Sequence, residues 1–251
     1  MNTSLTKLLF FFFIFSSCAS KKDLYYFQDI DDIKIQNSYK YLDIQPGDIL
    51  DIQIKALNPE SVLIFQRQDA LMRQNIQFQN RAIDGYLVGD NNSINLPLIG
   101  SISTEGLNTS SLSEQIVNKL TPYIKDPSVN VRILNFRVSI LGEVTRPGTY
   151  IFLEERLSIP QAIGQAGDLT INGDRNNVLL VRDLDGNKSS QFIDLTKSDF
   201  INSSNYYLKQ NDVLYIRPNN AKVKSSGLVG NASTLVSILS LAVSLFIVIT
   251  R

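Results

Sequence analysis

Short segments in which apolar and polar residues alternate, bounded by Gly, Pro and Asn, most constrain what residues 40–218 can fold into. In the segment Ile49–Lys55 the apolar residues recur at every second position, which is the period of a strand with one buried face. Comparable segments span Val129–Ile133, Val138–Leu141, Val178–Arg182 and Val213–Arg217. We therefore predict an α+β protein that is mostly β.

Two helices are expected between these strands. Ser111 and Glu114 have the spacing of a capping box at the start of the first helix, and Pro122 ends or kinks that helix. The second helix begins near Ser158 and ends at Gly167, a residue type that favours helix ends.

A weak internal repeat relates IQPGDILDI (44–52) to LKQNDVLYI (208–216). In each copy an apolar residue leads into a turn, an Asp and a strand. Gly47 and Asn211 tolerate positive φ, and Asp48 and Asp212 can accept hydrogen bonds from nearby backbone amides. Turn chemistry accounts for both carboxylates, so we assign neither to catalysis.

The N-terminus has the composition of a signal peptide, because Lys7 precedes the apolar run Leu8–Phe15. This run is too short to span a bilayer. The small residues before Cys18, the sole cysteine of the sequence, resemble the lipobox of bacterial lipoproteins. The resemblance implies that Cys18 carries the lipid, and Ala19 in place of Asp implies sorting to the outer membrane. The alternative is an ordinary free cysteine.

The C-terminus contains no charged residue from Ser225 to Thr250. A helix over Leu228–Ile249 would be about 33 Å long, against a hydrocarbon core of about 30 Å, so we expect a transmembrane helix at 228–250. Small residues share one face of this helix and predict a helix seam or a pore lining: Gly230, Ser233, Ser237, Ser240 and Ser244. Alternatively, each serine hydroxyl bonds to a carbonyl one turn back and nothing faces the serines.

Charge and composition exclude several classes of function. The net charge of zero gives no reason to expect nucleic acid as a partner. The absence of His from the sequence excludes a Ser-His-Asp triad, a Cys-His pair and a His-based zinc site. We expect no catalytic residue, no metal and no cofactor. An enzyme that uses Asp or Glu on sugars is the residual enzymatic hypothesis.

Several motifs carry a family resemblance. YLDIQPGDILDI (41–52), GYLVGD (85–90), INLPLIGSI (94–102) and KDPSVNV (125–131) together resemble the polysaccharide biosynthesis/export domain. ILGEVTRPGTY (140–150) and PQAIGQAGDLT (160–170) resemble the soluble-ligand-binding β-grasp (SLBB) module. Asp168 stands where the usual pattern has a second Gly. Pro147 presets φ and Gly148 supplies a turn between two strands, so we expect both to act through the fold.

These features divide the chain into a signal peptide (1–17), a lipidated linker (18–39), an export domain (40–135), an SLBB domain (136–218), a linker (219–227) and a transmembrane helix (228–250). The resemblance implies a ring of identical subunits, octameric in the best-known member. It also implies a periplasmic body and an outer-membrane conduit for polysaccharide, served by an inner-membrane copolymerase or tyrosine kinase. The alternative is a membrane-anchored glycan-binding lipoprotein without a pore.

Overall fold

The computed structural model describes residues 24–35, 41–65, 85–184, 186–226 and 232–249. The expected signal peptide, the lipid attachment site Cys18 and the stripe residue Gly230 lie outside these described residues.

Strands dominate the described part of the chain, which confirms the prediction of a mostly β, α+β protein. The strands are β1 (Ile49–Lys55), β2 (Tyr86–Leu87), β3 (Ser93–Leu96), β4 (Gly100–Ser103), β5 (Ser128–Ile133), β6 (Arg137–Gly142), β7 (Gly148–Ile151), β8 (Gly173–Leu184), β9 (Asn187–Ile193) and β10 (Val213–Pro218). The α-helices are α1 (Thr109–Leu120), α2 (Ile159–Gln165), α3 (Asn220–Ser225) and α4 (Ala232–Ile249). Short 3-10 helices cover Ile30–Asp32, Pro59–Phe65 and Asp199–Asn202.

The first module, residues 41–134, contains a three-stranded sheet in the order β2-β1-β5 and a two-stranded sheet of β3 and β4. Strand β1 is antiparallel to both of its neighbours. Helix α1 buries Leu112, Ile116 and Leu120 at helical spacing, so one face of this helix packs into the core. Leu50 and Ile54 of β1 enter the same core.

The start of α1 differs from the prediction. Asn108 is the N-cap, and its side-chain oxygen accepts a hydrogen bond from the backbone amide of Ser111 at 2.9 Å. Ser111 therefore lies one turn inside the helix and is not its cap. Asn is at least as good a cap as Ser, and its carboxamide satisfies an amide that has no partner within the helix. The helix ends at Leu120, before Pro122, as predicted.

The second module, residues 136–218, contains a five-stranded sheet in the order β7-β6-β10-β8-β9. Strand β10 is parallel to β6 and antiparallel to β8. Helix α2 begins after the N-cap Ser158 with a complete capping box to Gln161, and Gly167 follows it at φ +80°. Both boundaries of this helix agree with the prediction.

The connection between β6 and β7 corrects the prediction of a tight Pro-Gly turn. Gly148 pairs with Ile140 inside β7, so the strands are joined by the longer segment 143–147. A Cβ atom added at Gly148 would find its nearest neighbour, a Tyr150 ring carbon, at 4.0 Å. The glycine that the fold requires is Gly142, where φ is +89° and an added Cβ would lie 2.0 Å from the Ile216 carbonyl oxygen.

The C-terminal helix also departs from expectation. Helix α4 has 18 residues, so it is about 27 Å long, whereas a bilayer core is about 30 Å thick. Over the described parts of the chain, none of the helices has the length and apolar character needed to cross a membrane. The prediction of a transmembrane helix at 228–250 is therefore not supported.

Candidate functional site between the two modules

A cleft of about 650 Å³ lies where the two modules meet. The first module contributes Tyr41, Leu42, Asp43, Gln45, Pro46, Asp48, Asp90 and Ile133 to its wall. The second contributes Phe136, Asp183, Ser203, Ser204, Tyr207, Lys209, Gln210 and Asn211. The volume falls within the range of small-molecule sites. Four of the lining residues are aspartates and one is a lysine, so the cleft is acidic.

The two copies of the internal repeat meet at this cleft. Gly47 and Asn211 have φ angles of +86° and +63°. Asp48 Oδ2 accepts a hydrogen bond from the Gln45 amide at 2.8 Å, and Asp212 Oδ2 accepts the corresponding bond from the Lys209 amide at 2.7 Å. Both modules thus present the same aspartate turn to the space between them.

Two carboxamides join these turns. The Asn135 side chain accepts from the Ile49 amide at 2.9 Å and donates to the Gly47 carbonyl oxygen at 2.9 Å. Gln210 donates to the Asn135 carbonyl oxygen at 2.9 Å and accepts from the Arg137 amide at 2.8 Å. Neither residue was predicted from the sequence, because the side-chain partners of Asn135 and Gln210 are distant in sequence and no local pattern marks these two positions.

The second aspartate of the repeat is neutralised within its own module. Arg182 Nη2 lies 2.6 Å from Asp212 Oδ2, and Arg182 Nε donates to Asp212 Oδ1 at 2.8 Å. The guanidinium also donates to the side chain of Asn205 and to the carbonyl oxygen of Tyr207. Both ionic side chains are buried, and this bidentate geometry with further hydrogen bonds is what allows a buried ion pair to be stable.

The first aspartate has no such partner. Asp48 is only 1% exposed, and its Oδ1 accepts no hydrogen bond from the residues that the structure describes. Burial raises the pKa of Asp48 to about 6, and the charge of Glu155 adds to this effect. The Gln45 amide and the Gln210 carboxamide lower the pKa of Asp48, and they only partly offset the effect of burial.

Strand register explains the difference between the two aspartates. Val213 pairs with Val181, so continuing the register by one residue sets Asp212 opposite Arg182. On the other side of the cleft Ile49 pairs with Leu87, and the same step sets Asp48 opposite Val88. Valine cannot neutralise a carboxylate, so the first module lacks the cation that the second module provides.

Both modules match known protein families. Residues 36–134 match the family described as polysaccharide biosynthesis/export protein, and residues 136–216 match the SLBB domain.

The chain belongs to the polysaccharide biosynthesis/export family.

Three curated proteins are similar to parts of this chain. The EPS I polysaccharide export outer membrane protein EpsA of Ralstonia solanacearum is 26% identical over 201 residues, which cover 76% of this chain and 52% of EpsA. EpsA of Ralstonia nicotianae is 26% identical over 61% of this chain and 41% of its own length. The exopolysaccharide production protein ExoF of Rhizobium meliloti is 34% identical over 35% of this chain and 22% of ExoF. The chain thus spans about half the length, or less, of these relatives.

The SLBB domain of this family member also binds an N-terminal strap, residues 24–35. The Phe27 and Gln28 amides donate to the Leu195 and Thr196 carbonyl oxygens at 3.2 and 2.8 Å. The Phe27 ring stacks on Phe200 with centroids 5.6 Å apart. The strap is therefore held by backbone hydrogen bonds and by aromatic packing together.

Asp168, the departure from the usual SLBB pattern, is explained by this strap. Its φ is +69°, a conformation that normally favours Gly, yet its carboxylate accepts hydrogen bonds from the Tyr26 hydroxyl and from the Leu169 amide. The guanidinium of Arg175 lies 5.5 Å from the centroid of the Tyr26 ring. Burial and the Asp168 hydrogen bond raise the pKa of Tyr26 above its ordinary value. Asp168 thus adopts a backbone conformation that is less favourable for it than for Gly, and its side chain gains a hydrogen bond to the strap.

The predicted small-residue stripe lies on α4, apart from Gly230. The hydroxyl of Ser237 donates to the Ser233 carbonyl oxygen at 2.8 Å, and that of Ser240 donates to the Ser237 carbonyl oxygen at 2.9 Å. These two serines therefore adopt the alternative in which the hydroxyls bond back to their own helix. Ser233 and Ser244 are exposed.

Metal-ligating residues do not gather in the part of the chain that the structure describes. No group of three or more Asp, Glu, His or Cys side chains in these ranges is arranged to hold a metal ion. The aspartates of the cleft are spread over its wall and do not converge on one point.

Proposed function

We propose that this chain is an outer-membrane component of a polysaccharide export system and that it guides the polymer without catalysis. The observation that carries this proposal is the tandem match of an export domain and an SLBB domain over residues 36–216. The names of its relatives, which describe polysaccharide export outer membrane proteins, support the same role. No step of this mechanism needs a cofactor.

We further propose that identical chains assemble into a ring that encloses a passive conduit. Helix α4 supports this, because it exposes a set of large apolar side chains to solvent in the single chain: Val236, Ile238, Leu239, Leu241, Val243, Leu245, Ile247, Val248 and Ile249. An exposed apolar surface of this kind marks an interaction site. The same helix in neighbouring copies would cover it, and the small residues would permit close approach of the backbones.

The remaining parts of the proposal concern the position of the protein in the cell. Cys18 would carry the lipid anchor in the outer membrane, and the two modules would lie in the periplasm. An inner-membrane copolymerase or tyrosine kinase would deliver the polymer to the ring.

Two measurements test the export role and the ring. A deletion strain complemented with the wild-type chain should regain surface polysaccharide, and detergent-extracted protein should have the native mass of a closed oligomer. Ser237→Leu should reduce export, because the larger side chain separates the helix backbones at the seam. Ser237→Ala should leave export nearly unchanged, because the hydrogen bond that it removes contributes only about 0.6 kcal/mol to helix association. Leu239→Ile, which keeps an apolar side chain, is the matched control. Normal export by Ser237→Leu and a monomeric native mass would contradict the ring.

A second candidate function is a membrane-anchored glycan-binding protein without a pore, and the cleft between the modules favours it. That function predicts a monomeric native mass, retained glycan binding and no loss of export in the deletion strain. The same two measurements therefore separate the two functions.

A further inference from the structure

The outer face of the SLBB sheet, which is turned away from the domain core, is apolar where an exposed face is normally polar. Strands β8 and β10 contain the runs 178–181 and 213–216, and each run is apolar at four consecutive positions. Alternate members of the runs are buried in the core: Val178, Leu180, Leu214 and Ile216. The other members therefore face outward. A sheet with one solvated face alternates apolar and polar residues, whereas continuous apolar runs are typical of strands covered on both faces.

One row of outward side chains crosses four neighbouring strands. Tyr215 of β10 pairs with Leu141 of β6 on one side and with Leu179 of β8 on the other. Leu179 in turn pairs with Phe192 of the edge strand β9. Leu141, Tyr215 and Phe192 are exposed, and Cζ of Arg217 lies 4.4 Å from the centroid of the Phe192 ring. We call these five residues the Phe192 patch, an apolar surface with one positive charge at its edge.

A second exposed apolar surface begins on β7, the opposite edge strand of the same sheet. Ile151 and Leu153 are 65% and 72% exposed, and the exposed Glu154 follows them. We call these three residues the Ile151 patch. The charged residues beside it bond elsewhere in the chain: Glu155 to Thr109, Arg156 to Tyr207 and Arg137 to Asn211. Tyr207 and Asn211 line the cleft between the modules, so both arginines are engaged there.

The two patches complement each other in charge and polarity, but one chain cannot bring them together. Ile151 and Phe192 lie on the two edge strands, four strand spacings or about 19 Å apart along the sheet. A two-fold contact of the Phe192 patch with itself would set Arg217 against Arg217, and like charges across an interface are unfavourable. A head-to-tail contact between the two patches sets Glu154 against Arg217 instead. Contacts of this kind repeat from copy to copy and form a ring where the rotation closes.

A polysaccharide fits the Phe192 patch less well than a second copy does. Sugar hydroxyls need hydrogen-bonding partners when they are removed from water. Leu141, Leu179 and Phe192 have no hydrogen-bonding group in their side chains. A protein surface with exposed Ile151 and Leu153 needs no such partner.

We propose that the Ile151 patch of one copy docks on the Phe192 patch of the next, with Glu154 paired to Arg217. This inference rests on the proposed ring and deepens it, because it assigns a contact between copies to the outer face of the SLBB sheet in addition to helix α4.

The test is charge exchange in the full chain in detergent, with native mass as the measurement. Arg217→Glu and Glu154→Arg should each weaken association about tenfold or more, because each places two like charges in contact. The double variant restores an opposite pair and should recover the wild-type mass. Lys188→Glu reverses an exposed charge on β9, four residues from Phe192, and should leave the mass unchanged.

Cysteine crosslinking tests the same contact without reversing a charge. The double variant Ile151→Cys/Phe192→Cys, treated with a short bismaleimide, should give a ladder of covalent oligomers. Neither single variant should give this ladder, because each supplies only one side of the contact. A double variant that crosslinks no better than the single variants would count against the docking.

Further results would overturn the proposal. These are a native mass that withstands both charge reversals, a double charge variant that folds normally by thermal unfolding but stays dissociated, or a mass that Lys188→Glu lowers equally. If Phe192→Ala weakens binding of a neutral malto-oligosaccharide and leaves the mass unchanged, the face takes glycan and the proposal is wrong. A wild-type chain that restores export as an oligomer insensitive to both reversals refutes this interface and leaves the proposed function standing. A monomeric wild type that does not restore export refutes both.

Discussion

The two aspartates of the internal repeat offer a paired test of how burial and charge balance in this fold. Asp212 has a buried arginine partner, whereas Asp48 does not. Asp212→Asn leaves Arg182 buried beside a neutral group, so the free energy of unfolding should fall by about 3–5 kcal/mol. Asp48→Asn keeps the oxygen that accepts from the Gln45 amide and removes a charge that burial disfavours. We expect this second variant to be as stable as the wild type, or more stable, at neutral pH.

The raised pKa of Asp48 determines how this residue makes the free energy of unfolding depend on pH. The folded-state pKa of Asp48 is about 6, above the ordinary value of 3.8, so the folded protein holds this proton more tightly than the unfolded chain does. The stabilisation from this proton is fully present below pH 3.8 and is lost as the pH rises through 6. A shift of about two units corresponds to about 3 kcal/mol, which is an upper bound on what Asp48→Asn can regain.

The assay is denaturant unfolding of the wild type and both variants in detergent at pH 4, 6 and 8. The advantage of Asp48→Asn over the wild type should be near zero at pH 4 and largest at pH 8, whereas Asp212→Asn should be destabilised at both pH 6 and pH 8. If Asp48→Asn loses stability by the same amount at every pH, burial does not govern the carboxylate, and the reasoning from the missing arginine fails.

Three further predictions concern the glycines, the strap and the anchor. Gly142→Ala should lower the free energy of unfolding by about 3 kcal/mol or more, because the new Cβ meets the carbonyl group of Ile216. Gly148→Ala should change the free energy of unfolding by no more than about 0.5 kcal/mol. Equal midpoints of thermal unfolding for the two variants would contradict this view of the β6–β7 connection. Tyr26→Phe should lower the free energy of unfolding by about 1 kcal/mol and speed amide hydrogen exchange at the strap, while exchange in the SLBB core stays unchanged. Unchanged exchange at the strap would show that the hydrogen bond to Asp168 does not hold the strap in place. Metabolic labelling with a fatty acid should tag the wild type but not Cys18→Ala, and equal labelling of both would exclude Cys18 as the attachment site.

Local patterns in the sequence predicted the elements whose causes are local. Strand β1 follows from its alternation, and the second helix follows from Ser158 and Gly167 at its ends. The spacing of Ser111 and Glu114 predicts a cap at Ser111, whereas the structure has Asn108 as the N-cap. The Pro147-Gly148 dipeptide predicts a turn at Gly148, but the glycine that the fold requires is Gly142, and this requirement comes from Ile216, more than seventy residues later in the chain.

The features of the candidate site are non-local in the same way. The repeat identified Asp48 and Asp212 as turn residues, yet their difference in charge balance depends on what stands opposite each one across a sheet. The transmembrane helix was expected from apolar composition over 228–250, whereas no helix in the described ranges is long and apolar enough to cross a membrane. Composition indicated the apolar character of this region but does not fix the length of a helix.

The docked strap sets the length of the tether between the SLBB domain and any lipid on Cys18. Six residue steps separate Cys18 from Leu24, where the described strap begins, and a fully extended chain covers at most about 3.6 Å per step. An acylated Cys18 would therefore hold Leu24, the start of the docked strap, within about 22 Å of the lipid surface, less than the thickness of a bilayer core. Release of the strap would lengthen this tether by up to twelve residues, and the domain could then move farther from the membrane.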